Sequence, residues 1–173
     1  HEQRDLLAAI QIVKGKAPDV PVVLFGISFG AAIAILTANQ DSSVVAVVSD
    51  SSFASIPELI EEEVAARTSM PAWGAALLKP GIIRAAEWFR GVELLAVSPA
   101  KHVSQILFPI ALIHCKDSER VPFSHAERIM REAPSGSVTL FIDGCDHAMG
   151  WEHDKQAYMD FVLNYLNGRL MSR

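Results

Sequence analysis

At 173 residues, half of them hydrophobic and a fifth charged, the chain can bury one sizeable core and is too apolar to be a disordered segment. Its formal net charge of −5 argues against nucleic acid or an anionic membrane surface as a partner. No apolar run reaches the ~18 residues of a membrane span, and no signal peptide is recognisable, although a start at His1 rather than Met leaves an upstream signal or anchor open.

Residues Glu2 to Lys14 place Leu6, Leu7, Ile10 and Val13 on one face at helical spacing, and Gly15 to Pro18 end that helix. The apolar run Val20 to Phe25 reads as a strand, and Phe29 to Asn39 as a small-residue helix buried against a sheet. Val44 to Ser49 is a second uniformly apolar strand, ending at Asp50; such runs suit parallel strands covered on both faces. Between Ser51 and about Gln105 no strand pattern appears. Pro57, Pro71, Pro80 and Pro99 punctuate short helical patterns there, clearest at Ile56 to Ala66 and Ile82 to Phe89, so residues 53–100 read as a lid-like helical insertion. A third strand, Pro109 to His114, leads through a charged loop to a helix from about Phe123 to Glu132. Val138 to Ile142 is the fourth strand. The loop Asp143 to Gly150 then enters a last amphipathic helix, with Tyr158, Phe161, Val162, Tyr165 and Leu166 inward.

Alternating strands and helices without an internal repeat predict one α/β domain, a parallel sheet with right-handed crossovers and helices on both faces. Ligands in such sheets sit beyond the carboxyl ends of the strands. Ser28, Asp50, the loop His114 to Glu119 and the loop Cys145 to His147 all follow strand ends, so they converge on one rim.

The chemistry begins at G-I-S-F-G, Gly26 to Gly30, which has the G-x-S-x-G form in the context that form requires: strand, sharp turn, helix. Such a turn lifts the Ser28 hydroxyl above the sheet and aims the backbone N–H of Phe29 at the space an oxyanion would occupy. Both glycines are expected to be needed for the close approach of strand and helix. A serine hydroxyl attacks only with a base in reach, and His147, in a short polar loop after the last strand, is the best-placed histidine. His114 ends a buried strand and His153 sits in a helical turn, while His1, His102 and His125 read as surface or packing residues. No histidine–carboxylate spacing suggests a metal site, and no cofactor is called for.

Four pieces resemble the α/β-hydrolase superfamily, specifically bacterial serine-aminopeptidase-like and prolyl-oligopeptidase-like esterases. They are the turn at Gly26 to Gly30; V-S-D-S-S-F-A-S; S-P-A-K-H-V-S-Q-I leading into I-A-L-I-H; and D-G-C-D-H before the final helix. The order Ser, acid, His is the one that superfamily uses. The resemblance runs the whole chain but covers only the C-terminal two-thirds of the usual domain, whose early strands have no counterpart here. It implies an exposed apolar edge on the strand at residues 20–25, to be covered by a missing N-terminal segment or by a second copy.

The resemblance also implies an acid four residues after His114, where Ser118 stands. Asp117 and Glu119 flank it and Asp50 ends the second strand; Asp117 is taken as the acid, with the other two left open. Phe29 is the oxyanion donor. Phe53 and Trp151, with Trp73 and Trp88, are candidates for an acyl pocket or for packing. Cys115 and Cys145 are expected as two packed thiols in a reducing, cytoplasmic setting, a disulfide being the alternative. The expected function is cleavage of a small acyl ester, thioester or amide, or else an impaired hydrolase-like domain that binds a ligand or partner.

Overall fold

The computed structural model describes residues 2–68, 71–90 and 94–171. His1 and residues 69–70 and 91–93 of the expected insertion lie outside them. Four strands, β1 (Val22–Ile27), β2 (Val44–Asp50), β3 (Ala111–Cys115) and β4 (Val138–Ile142), form one sheet in the order β1-β2-β3-β4, every pair parallel. Each begins or ends within about two residues of its expected bounds, because an apolar run flanked by Pro, Gly or Asp leaves little freedom in where pairing stops.

The two central strands are apolar on both faces for a reason visible in the packing. All seven residues of β2 and all five of β3 are buried. One face lies under α1 (Glu2–Lys16), α2 (Phe29–Thr37), α5 (Pro99–Val103) and α6 (Phe123–Glu132), which bring Ile10, Ile35, Val103 and Ile129 onto Leu24, Val47 and Leu112. The other lies under α8 (Lys155–Met171), which follows the short α7 (Gly150–His153) and whose Tyr158, Val162 and Tyr165 meet Val45, Val48 and Ile113. Burying a side chain of this size contributes about 1.5–3 kcal/mol, so the two layers supply most of the cohesion. Tyr165 pins α8 down: its hydroxyl accepts from Val47 N–H at 3.1 Å and donates to Pro109 O at 2.9 Å.

β1 is an edge strand, hydrogen-bonded to β2 on one side only among the described residues. On its α8 side Phe25 and Ile27 are 47% and 51% exposed. An apolar hollow of about 440 Å³ runs along its other flank, bordered by Leu6, Val23, Phe29 and Ile33.

The segment expected to be a lid-like insertion forms α3 (Ile56–Thr68), α4 (Ala72–Arg90) and a short 3₁₀ turn, Leu94–Ala96. Pro80 does not break α4, which runs through it and is longer than the Ile82 to Phe89 segment expected from the proline spacing. Acidic residues of α3 fasten this helix to its neighbours: Glu58 pairs with Arg128 of α6, Glu61 with Lys79 of α4 at 2.5 Å, and Glu62 with His125 of α6 at 2.5 Å. No helix among the described residues is long and apolar enough to cross a membrane.

Candidate active site

The parallel register brings the strand ends level: Ile27 lies opposite Asp50, and Asp50 opposite Ile113. Ser28 follows β1 directly. Its N–H donates to Asp50 O at 2.7 Å, and its backbone takes φ 54°, ψ −118°, a region that costs a non-glycine residue about 1–3 kcal/mol. Tight strand-to-helix packing maintains this strain. A Cβ on Gly26 would lie 2.3 Å from Gly30 O, so β1 and α2 touch backbone to backbone at this point. Gly30 differs from expectation: a Cβ there would meet nothing within 4 Å, because its open side faces the hollow beside β1. Only Gly26 is sterically required. Phe29 opens α2, so its N–H has no acceptor within the helix.

His147 reaches this turn from the loop after β4. Ser28 Oγ stands 2.8 Å from His147 Nε2, and Ser118 Oγ stands 3.3 Å from His147 Nδ1. With Ser28 donating to Nε2, the ring proton sits on Nδ1 and points at Ser118. Ser118 Oγ also accepts from Val121 N–H at 3.2 Å.

The expected carboxylate is elsewhere. Asp117 Oδ2 accepts from Gly144 N–H at 2.6 Å, so Asp117 serves the backbone of the His147 loop, and the group at the imidazole is the uncharged Ser118. Gly144 is in the left-handed region at φ +76°, a turn that directs its N–H away from regular pairing and toward this side chain. The backbone N–H of Glu119 donates to Asp146 Oδ1 at 3.1 Å. Asp50 is buried at the floor of the site, its Oδ1 accepting from Ser51 Oγ at 2.8 Å and its Oδ2 from Tyr158 OH at 2.7 Å. Ser51 Oγ in turn accepts from Ala148 N–H at 3.2 Å, the residue after His147, which is itself left-handed at φ 59°.

These surroundings set the charges. Burial, and then the Arg120 guanidinium, lower the His147 pKa, against the opposing pull of Asp146 and Asp50, so the ring is neutral at pH 7. Burial raises the Asp50 pKa despite the hydroxyls of Tyr158 and Ser51. Asp146 is lowered, chiefly by the N–H groups of His147 and Glu119. Among the described residues no group of three or more His, Cys, Asp or Glu is placed to hold a metal ion.

The expected pair of packed thiols is instead a disulfide. Cys115 ends β3 and Cys145 lies in the loop after β4, and their Cα atoms are 5.3 Å apart in adjoining segments. Phe53 is buried against Ala32 and Val121, its ring 6.2 Å from that of half-exposed Phe29. Trp151 stacks edge-on to Tyr158 and borders a separate hollow of about 200 Å³ with Phe25, Ile27 and Met159. Trp73 and Trp88 lie on exposed faces of α4. Of the two roles expected for His125 it takes packing: it is fully buried, accepting from Ala54 N–H at 3.0 Å. Three partners were missed from sequence: Ser51, Asp146 and the Tyr158 hydroxyl. In the sequence Tyr158 reads as part of an apolar stripe, although a phenol on an inward helical face opposite a strand-end aspartate is a readable signal.

An esterase from Pyrococcus furiosus superposes at a TM-score of 0.71 with 20% identity, covering 97% of this chain and 62% of its own. An alpha/beta hydrolase enzyme from lagoon-sediment metagenome of Mar Chica, Morocco, gives 0.63 at 21% identity, covering 96% and 70%. The chain has the α/β-hydrolase fold. Proline iminopeptidase of Mycobacterium smegmatis shares this α/β-hydrolase architecture at 0.65 and 16% identity, over 95% and 71%. Among curated proteins, YqkD of Bacillus subtilis (strain 168), itself uncharacterised, is 25% identical over 170 residues. The match takes in 96% of this chain and 55% of YqkD, so the chain spans about half the length of that relative. No family model matches the chain.

Proposed function

We propose that the chain is a serine hydrolase that cleaves a carboxylic ester, thioester or amide of a small to medium acyl group through an acyl-enzyme. The observation that carries this reading is the contact of 2.8 Å between Ser28 Oγ and His147 Nε2 at a strained serine. In this mechanism Ser28 Oγ attacks the acyl carbon as its proton passes to His147 Nε2. The Phe29 N–H stabilises the resulting oxyanion. Collapse expels the leaving group, which takes the proton from His147, and a water activated by the same ring then releases the acid. Phe29, backed by Phe53, forms one wall of the acyl site. Ser118, whose hydroxyl can donate as well as accept, neither fixes the Nδ1–H tautomer nor supplies negative charge to the imidazolium, which makes this a slow enzyme: losing a triad's carboxylate costs about 10⁴ in kcat.

A second reading, an impaired hydrolase-fold domain that binds a ligand or partner, is favoured by that same uncharged Ser118 at 3.3 Å from Nδ1. Labelling with a fluorophosphonate decides between them. We expect slow labelling that Ser28→Ala and His147→Ala abolish. A folded parent chain that takes no label under prolonged exposure would support the second reading.

A further inference from the structure

The loop after β3 and the loop that bears His147 are joined along their length. Besides the Cys115–Cys145 bond, Lys116 N–H donates to Ile142 O at 2.8 Å and Lys116 Nζ meets Asp143 at 3.0 Å. Asp117 takes the Gly144 N–H, and Asp146 takes that of Glu119. Lys116, Asp117, Ser118 and Glu119 therefore each grip the other loop, and the two site side chains, Ser118 and His147, stand three and two residues beyond the bridged cysteines. The non-covalent rungs are mostly on exposed residues, where a single ionic or hydrogen-bonded contact contributes about 1 kcal/mol or less. The disulfide is the one rung that thermal motion does not open.

We propose that Cys115 and Cys145 are positioning residues for His147, and that reduction of their bond slows the chemistry at Ser28 reversibly. The inference rests on the serine-hydrolase reading for its effect on activity, though not for its effect on the loop. A dithiol supplies the two electrons. One of its thiolates attacks a bridge sulfur to give a mixed disulfide and a cysteine thiolate, which takes up a proton. Its second thiol then displaces the other cysteine, so the dithiol leaves as a cyclic disulfide and the protein holds two thiols. Without the bond the loop from residue 143 to 148 can move away from Ser28, and a misplacement near 1 Å costs up to about 100-fold in rate.

The test compares the chain as isolated, after dithiothreitol, and after reoxidation, with thiol alkylation and mass measurement fixing the redox state. Amide exchange reads the loop, and fluorophosphonate labelling reads the site. On reduction, exchange at the amides of residues 144–148 is expected to quicken about tenfold while β2 and β3 stay protected, and labelling to slow about tenfold, both recovering on reoxidation. A Cys115→Ala/Cys145→Ala variant should match the reduced form; if it does not fold, the reduction series stands alone. Unchanged loop exchange in the fully reduced, folded chain overturns the proposal, as does a general loss of protection across the sheet. Faster loop exchange in a chain that never labels upholds the positioning role of the bridge and refutes the hydrolase reading instead.

Discussion

Replacing Gly26 by alanine separates the part of the Gly26–Gly30 turn that sterics dictate from the part they do not. The added Cβ would sit 2.3 Å from Gly30 O, 2.4 Å from Gly30 C and 2.6 Å from Ala31 N. Carbon packs at about 3.5 Å, so α2 would have to retreat from β1 by about 1 Å. It cannot do so freely, because Ala31, Ala32, Ala34 and Ile35 are already buried against the layers on either side. Backbone atoms, unlike a side-chain tip, have no alternative rotamer to adopt. The cost falls at the top of the range for overpacking, about 3 kcal/mol, and the same shift carries Phe29 and Ser28 away from His147. Gly30→Ala is the control. Its Cβ meets nothing within 4 Å, and alanine is the better helix former by up to about 1 kcal/mol. Urea unfolding followed by circular dichroism, with fluorophosphonate labelling of each folded variant, is the assay. Gly26→Ala should lose about 3 kcal/mol and its labelling, while Gly30→Ala should keep both. The reasoning is refuted if Gly26→Ala unfolds within about 0.5 kcal/mol of the parent, or if the two variants are damaged alike.

Ser118→Asp restores a charge beside Nδ1 and should raise ester hydrolysis or labelling by about 100-fold or more; no gain means that the uncharged acceptor already suffices. Because the His147 pKa is lowered and its neutral form is the base, labelling should rise with pH to a midpoint below 6.5. Arg120→Gln removes a charge that lowers that pKa and should move the midpoint up, whereas Asp146→Asn should move it down; a shift in the opposite sense in either variant contradicts the assignment of the base. Buried His114, its pKa pushed down to about 4 by burial, binds fewer protons folded than unfolded between pH 6.5 and 4. Its contribution is fully present above pH 6.5 and is lost as pH falls through that window, about 3 kcal/mol in all, and His114→Gln, which carries no titratable group, should flatten the decline in denaturant titrations.

Strands and their convergence were readable because apolar runs of five to seven residues between turn signals admit one interpretation, and parallel order then forces Ser28, Asp50 and the two loops to one rim. Ser28 was legible in the G-x-S-x-G form, and His147 in its loop position together with the resemblance. The identity of the group on Nδ1 was not, because Ser118, Asp117 and Glu119 are neighbours in one loop and a single residue of loop rotation decides which meets the ring. Asp117 turned instead toward the left-handed Gly144, a demand for an acceptor that no periodicity announces. The Cys115–Cys145 bond was undervalued for a different reason: two cysteines in the whole chain argue for a reducing setting, and that outweighed their placement after β3 and β4, which lie side by side. Pro80 within α4 shows the limit of proline as punctuation when the flanking turns are otherwise helical.

Both of the chain's tyrosines lie on the inner face of α8, and burial raises the pKa of each phenol, Tyr158 further through its bond to Asp50. Both rings should therefore ionise later in alkali than a free phenol while α8 stays seated on the sheet. The rise in ultraviolet absorbance that marks phenolate becomes a native optical reporter of one event, the lifting of the last helix, with no label and no substitution. Since Tyr158 reaches under the site and Tyr165 holds β2, that colour change would mark the moment the floor beneath His147 gives way.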